Sequence, residues 1–474
     1  LLEFHVQNLY TRVNKKKAGK EELTELHNIL SVKVPGHYFS PHFRRGMWDG
    51  YKRFFNLLTG SFYTGLLGYA KSHLSENIEI SEVDERAAIP HQNNPLGLNG
   101  IKLRDYQVKM VAGAISKGRG IISAPPNAGK TEVAAGIVKV LGLPAIFFTH
   151  RLTLLHQTQE RFSNRLEIEV GLVGGGKDDW ITDGVNIVSI QTAYKKLDSF
   201  EDRVKEIPIV IADECHHLSS RSFEKLLKLC KDSYFKFGLS ATPLLRDDVS
   251  NMTVRGLLGD EIVSVTNQEL IAAGISAFPS VYLLNVQEPK ISDHFTFDQA
   301  YESGILYNSF RNGLVVSSAE RFLKQDKSVF ILVWRIAHGE VLRDLFLEKG
   351  VNVEFISGQE KPEYIKSTLE DFSKKKLKCV ISSTISDEGM DIPAVDVLIL
   401  AVGFKAPLKT IQRVGRGLRR KTSGENVVSI VDFVDWQSKR YLYKHSVDRV
   451  REYVKMGIKI YEVVGGDWER IEER

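Results

Sequence analysis

The 474 residues are 43% hydrophobic and 26% charged, an ordinary globular balance that excludes a mostly disordered chain, and the length suits about three domains. No run approaches the ~20 apolar residues of a membrane span, and three scattered cysteines (Cys215, Cys230, Cys379) exclude a disulfide framework or a cysteine-built zinc site. The net charge of +5 is unevenly spread: residues 1–60 hold ten Lys/Arg against five Asp/Glu, and Lys405 to Lys421 hold seven Lys/Arg and no acid, which points to a polyanionic partner.

Residues 1–95 are aromatic and basic, then acidic from Glu76 to Glu85, and are expected to form a small α+β nucleic-acid-binding domain. The first residues, LLEFHVQNLY, lack the basic, apolar, small order of a secretory signal, so a cytoplasmic protein is expected. Between His37 and Phe55, seven of nineteen residues are aromatic. Arg44, Arg45, Lys52 and Arg53 would neutralise phosphates there, and Trp48 would face bases. Phe39, Phe43, Phe54 and Phe55 read as core. Met47-Trp48-Asp49-Gly50 reads as a turn. Pro90–Gly100 (PHQNNPLGLNG) reads as a linker.

Residues 96–270 alternate apolar strands with helix-compatible stretches. The strands are GIISA (120–124), AIFFT (145–149), VNIVSI (185–190), IPIVIAD (207–213) and FKFGLS (235–240). Apolar runs without alternation suit strands buried on both faces, as in a parallel sheet covered by helices. A second series fills residues 281–436: SVFILV (328–333), VEFIS (353–357), KCVISS (378–383), DVLILAV (396–402) and VVSIVDF (427–433). Residues 244–285 lack such runs and read as the crossover. The tail, 437–474, reads as helical, with Tyr441, Tyr443, Val447, Val450 and Tyr453 packed on the second domain.

The sharpest motif is APPNAGKT, Ala124 to Thr131, between a strand and a helix. Small residues let backbone wrap phosphate oxygens, and the helix N-terminus favours the anion. Pro126, Asn127, Ala128 and Gly129 would form the cradle. Lys130 would reach the β- and γ-phosphates of ATP, and Thr131 would place its hydroxyl on Mg²⁺. Ala124 replaces the first glycine of the general pattern, and Asn127 stands where another glycine is common. At the end of the fourth strand, Asp213-Glu214-Cys215-His216 presents two carboxylates to the ligand crevice of a parallel sheet. Asp213 would hold Mg²⁺ and Glu214 would deprotonate the attacking water. Far along the chain, QRVGRGLRR (Gln412 to Arg420) offers arginines for the developing phosphoryl charge, with a surface basic helix or a phosphate clamp as the plainer reading. Arg416 as a finger would require the two α/β domains to close on one triphosphate.

As an ordered set these strings resemble superfamily 2 helicases. The resemblance implies two tandem RecA-like parallel-sheet domains over residues 96–436. It casts Leu103-Arg104-Asp105-Tyr106-Gln107 as the adenine-reading element, with Arg104 and Gln107 on the nucleotide. His150 and Arg151, and then Gln191 and Thr192, fall where the family grips nucleic-acid backbone, as does Thr384. Ser240-Ala241-Thr242 matches the element coupling hydrolysis to strand movement. Gly389, Asp391 and Gln412 match nucleotide-facing positions, and Arg416 and Arg419 the γ-phosphate contacts. The segment His37–Asn56, with this core and a short tail, is similar to bacteriophage UvsW-type helicases. That likeness implies an ATP- and Mg²⁺-dependent motor on forks, Holliday junctions, displacement loops and RNA–DNA hybrids, active in recombination, replication and repair. It further implies a protein of the host bacterial cytoplasm, monomeric in solution and without a membrane partner. A duplex-DNA translocase without strand separation, and a non-catalytic clamp or annealing factor, remain open on the residues alone. His216 and His217 lack supporting ligands for a metal cluster. Gly174-Gly175-Gly176 reads as a flexible loop near the nucleic-acid track, and Lys374–Lys376 as a solvated face.

Overall fold

The computed structural model describes residues 1–87, 89, 91–125, 128–150, 152–216, 221–241, 244, 249–275, 278–383, 395–403, 427–455, 457–464 and 467–470. They form two compact units, Leu1–Thr266 and Asn267–Arg474. Among the described residues no helix is long and apolar enough to cross a membrane.

The first unit opens with strands β1 (Leu2–Val6), β2 (Tyr10–Val13), β3 (Ser31–Lys33), β4 (Tyr51–Arg53), β5 (Ser61–Tyr63) and β6 (Ile80–Asp84). β5-β2-β1-β6 make one sheet, and β3-β4 make a separate antiparallel ribbon. Strict alternation in β1, with Leu2, Phe4 and Val6 inward, puts one face on a core with Leu26, Phe54, Phe55 and Phe62. Met252 of the helix Val249–Leu258 belongs to the same core. This small sheet is therefore built onto the larger one that follows. Gly65 shows how closely: a Cβ there would fall 2.1 Å from the Arg255 carbonyl oxygen. Phe54 and Phe55 are core as expected. Phe43 is only half-buried, packed edge-on against His37 at 4.7 Å, and Phe39 is exposed.

The larger sheet runs β7 (Arg119–Ser123), β8 (Ala145–Thr149), β9 (Val170–Gly174), β10 (Lys177–Asp179), β11 (Val185–Ser189), β12 (Ile209–Asp213), β13 (Phe235–Ser240) and β14 (Glu261–Ser264). Its order is β10-β9-β11-β8-β12-β13-β7-β14. All neighbours are parallel except β10 on β9. Every residue of β8, β11 and β13 is buried, so their apolar runs show no alternation. Of the three glycines, Gly174 ends β9 and the other two make a turn. Gly175 (φ 60°) and Gly176 (φ 89°) are the two central residues of a tight β9–β10 hairpin, which demands positive φ at both.

The second unit holds β15 (Phe278–Val286), β16 (Val329–Val333), β17 (Glu354–Ile356), β18 (Cys379–Ser383), β19 (Val397–Leu400), β20 (Val427–Asp435), β21 (Lys459–Val464) and β22 (Asp467–Arg470). Its order is β17-β18-β16-β19-β20-β15-β21-β22. The stretch read as a bare crossover thus supplies β14 to one sheet and β15 to the other. β14 is half-exposed, and β15 carries a proline paired with Val428 and a polar break at Ser280, so neither makes an apolar run. Among the described residues the tail is helical only over Leu442–Lys455. Beyond it the chain adds β21 beside β15 and turns back as β22. The helix, with Tyr441 just before it, packs part of the expected stripe on the second unit, Tyr453, Val450 and Tyr441 lying against its cores, but its fully buried positions also include polar residues. Leu442, Ser446, Arg449 and Tyr453 are inside, while Tyr441, Tyr443, Val447 and Val450 are half-buried. Asp432 on β20 draws Arg449 inward through a 2.8 Å ion pair.

Candidate nucleotide site

Strand pairing brings the chemistry-bearing strings of the first unit to one edge. β13 lies between β12 and β7; Asp213 registers with Leu239, and Ser240 registers with Ser123. The loop after Ser123, the carboxylates from Asp213 and the stretch from Ser240 all leave the sheet at its C-terminal side. That edge is where open parallel sheets place their ligands.

The loop after β7 closes on the helix Lys130–Leu141, and Gly129 caps it in the left-handed region (φ 75°, ψ 43°). A Cβ at Gly129 would lie 2.3 Å from Gln107 Nε2, and the positive φ strains any side chain, so glycine is favoured there. Lys130 Nζ donates to the Ala124 carbonyl at 3.0 Å and sits 3.5 Å from that of Pro125. The ammonium thus lies across the loop. Gln107 is buried under it: Nε2 donates to the Ala128 carbonyl at 2.9 Å, and Oε1 accepts from Arg104 N at 2.9 Å. Tyr106 Oη donates to the same Ala128 carbonyl at 3.2 Å, and Arg104 Nη1 reaches Tyr106 Oη at 3.3 Å. Arg104, Tyr106 and Gln107 therefore brace the loop from the start of the helix Asp105–Lys117. Thr131 is half-buried in the first turn after Lys130.

At the end of β12, Asp213 Oδ1 accepts the Glu214 backbone N–H at 3.0 Å. Glu214 adopts φ +48°, an uncommon conformation for a residue with a side chain. His216 Nδ1 lies 2.9 Å from Ser240 Oγ and 3.5 Å from Glu214 Oε2. One imidazole thus ties the carboxylate turn to the end of β13. No spacing rule signals this link across 24 residues. Cys215 is buried, and burial, then the Glu214 and Asp213 carboxylates, push its thiol well above the usual range, which makes it a packing residue rather than a nucleophile. Among the described residues no cluster of three or more His, Cys, Asp or Glu could hold a metal ion.

β8 and β11 pair with Thr149 opposite Ser189, so His150, half-buried, and the turn bearing Gln191 and Thr192 start side by side on this edge. Gln191 is exposed, and the Thr192 N–H donates to Ser189 Oγ at 3.4 Å. In the N-terminal region, Arg44 and Arg45 are exposed. Trp48 is half-buried, with Nε1 donating to the Tyr51 carbonyl at 2.8 Å. Lys52 points at the body of the unit, 3.4 Å from Thr253 Oγ1, and Arg53 pairs with Asp49. Pro126, Asn127, Arg151, Thr384, Gly389, Asp391, Gln412, Arg416 and Arg419 lie outside the described residues.

Residues 100–245 match the family "Type III restriction enzyme, res subunit", and residues 315–421 match "Helicase conserved C-terminal domain". The chain is 26% identical over 76% of its length to the DNA 3'-5' translocase XPB2 of Sulfurisphaera tokodaii, covering 88% of that protein. It is 24% identical over 90% of its length to the ATP-dependent DNA helicase uvsW of Enterobacteria phage T4, covering 93% of it. The crystal structure of the Pyrococcus furiosus Hef helicase domain superposes with a TM-score of 0.53 at 14% identity, over 74% of this chain and 98% of that one; that likeness concerns the fold. With two RecA-like parallel sheets, and with helicase-family matches covering most of residues 100–421, the chain belongs to the superfamily 2 helicases, enzymes that work at the expense of ATP.

Proposed function

We propose that this chain is an ATP- and Mg²⁺-dependent DNA helicase that unwinds or branch-migrates branched DNA such as forks, four-way junctions, displacement loops and RNA–DNA hybrids. The observation that carries the reading is the convergence of Lys130, Asp213, Glu214 and Ser240 on one edge of one sheet. Lys130 exchanges its carbonyl partners for β- and γ-phosphate oxygens, with Gly129 and Ala128 in the cradle. Thr131 and Asp213 offer hydroxyl and carboxylate oxygens, the hard donors that Mg²⁺ prefers. Glu214 takes the proton of the attacking water, and His216 relays the state of that turn to Ser240. Arg416 and Arg419 of the second matched region supply charge for the transition state, with Gln412, Gly389 and Asp391 beside the nucleotide. His150, Arg151, Gln191, Thr192 and Thr384 hold the sugar-phosphate backbone.

Similarity over 90% of the chain to a protein named ATP-dependent DNA helicase uvsW supports DNA as the nucleic acid, and the UvsW-type likeness of His37–Asn56 is the ground for choosing branched DNA. The test is ATP turnover against single strand, duplex, fork, four-way junction and RNA–DNA hybrid. Stimulation greatest on junctions, with strand displacement in gels, is the expected result. Triplex displacement on plain duplex without fork unwinding would instead identify a duplex translocase. Turnover indifferent to every nucleic acid would overturn the motor reading.

A further inference from the structure

The N-terminal region carries a surface that the phosphate contacts of a motor do not require. Tyr38 is 55% exposed, Phe39 68% and Met47 60%. The two aromatic rings are neighbours, with centroids 4.4 Å apart and planes tilted by 47°. Leaving such area in water forgoes its burial free energy.

The rings are nonetheless held in place. His37 packs edge-on against Tyr38 at 5.5 Å and against Phe43 at 4.7 Å. Its Nδ1 lies 2.9 Å from the Val34 carbonyl oxygen. Gly50 makes room for that imidazole, since a Cβ there would fall 2.8 Å from the His37 ring. Arg44 Nε donates to the Tyr38 backbone carbonyl at 3.0 Å, which ties a guanidinium to the turn that carries the rings. Arg44 and Arg45 are exposed, and residues 37–47 contain no Asp or Glu. A neighbouring pair of exposed rings in a stretch that carries basic and no acidic side chains is complementary to a strand with phosphates outside and flat bases free to stack.

We propose that Tyr38 and Phe39 form a stacking platform for unpaired bases of a single strand, with Arg44 and Arg45 on the adjoining phosphates. The platform recognises the unpaired arm of a branched substrate and is blind to intact duplex, whose bases are already stacked. The inference rests on the branched-DNA reading above and adds the element that distinguishes an open arm from duplex.

The test uses the full chain and two double variants. Tyr38→Leu/Phe39→Leu keeps apolar bulk and removes both aromatic faces. Tyr38→Phe/Phe39→Tyr keeps two rings. Binding is followed by fluorescence anisotropy on an oligo-dT strand, a fork with unpaired arms and a blunt duplex, at several salt concentrations. The leucine variant is expected to lose about tenfold in affinity on the single strand and the fork, corresponding to one stacked base. Its duplex affinity and its salt slope stay at wild-type values, because stacking releases no counterions. The ring-exchanged variant binds like wild type. Unchanged fork binding by the leucine variant, or equal loss on all three substrates, overturns the platform. So does wild-type self-association that the leucine variant abolishes, which would assign the rings to a protein interface. If wild-type turnover is stimulated by DNA while the leucine variant binds forks normally, only the platform fails. If wild-type turnover ignores DNA, the motor reading itself fails.

Discussion

Glu214 and Lys236 show how a single residue's surroundings decide what it can do. Glu214 is held at φ +48° at the end of a buried strand, a conformation costing on the order of 1–3 kcal/mol. Strain of that kind is maintained where a side chain must be aimed. Exchanging the acid for its amide keeps shape and removes the base. Glu214→Gln should therefore lower ATP turnover by about 10²–10⁴-fold while nucleotide binding is retained. Phosphate release and a nucleotide-binding titration check both halves, and DNA-stimulated turnover near the wild-type rate would overturn the assignment. Lys236 lies on β13, 1% exposed, and its ammonium finds no hydrogen-bond partner among the described residues. Burial, then the neighbouring Arg119, pushes its pKa down to about 7. The unfolded chain, with an ordinary lysine near 10.5, binds the extra proton between those values. Stability should then rise as pH climbs from about 7 towards 10.5 and be lowest below 7. Lys236→Met should raise the melting temperature most at neutral pH and below, with the gain shrinking as pH rises. A gain constant across that range would contradict the account.

At the scale of elements, β20 and the helix Leu442–Lys455 are joined by buried charge as well as by apolar contact, Tyr453 and Val450 packing with Val428 and Ile430. Arg449 Nε pairs with Asp432 at 2.8 Å and Nη2 donates to the Phe433 carbonyl at 2.8 Å; Tyr453 Oη donates to Asp432 at 2.7 Å. Arg311, wholly buried, pairs with Asp435 at 2.9 Å, donates to the Ala401 carbonyl at 3.0 Å and lies over the Phe433 ring. Arg311 therefore fastens the C-terminal ends of β19 and β20 to the helix Ser309–Leu323. Such a network is costly to break on one side, because the surviving charge stays buried without its partner. Asp435→Ala should destabilise the second unit by about 3–5 kcal/mol, read as a loss in the denaturation midpoint. A cost below ~1 kcal/mol would show that the surroundings relax around the orphaned arginine. The Gly65 contact makes a parallel case in the first unit. The Arg255 carbonyl oxygen lies 2.1 Å from where an alanine methyl would sit, so Gly65→Ala must push the small sheet off the helix Val249–Leu258. The expected cost is ~1–3 kcal/mol, and melting of the Gly65→Ala protein measures it.

For the whole molecule, the proposed motor needs arginines from the second matched region at a phosphate held by the first. Arg416→Ala should leave ATP binding nearly intact and lower turnover by about 10³-fold or more. Parallel loss of binding and turnover would assign Arg416 to the ground state instead. Much of this organisation is legible in the residues. The strings that lead into Lys130 and Asp213 follow largely apolar runs, and such runs mark central parallel strands because both faces must be covered. β9, β14 and β15 do not stand out in the sequence, because glycines, exposed residues or a proline break the apolar pattern. Phe39 reads as core there because a hydrophobic ring carries no mark of which side it faces. The sequence by itself determined the class of machine: two α/β units, a phosphate loop and a carboxylate pair, each encoded by neighbouring residues. Only the tertiary structure decided that His216 meets Ser240, that Arg449 turns inward to Asp432, and that Tyr38 and Phe39 face solvent. Those outcomes depend on which distant segments pack together, and local propensity and spacing carry no information about that.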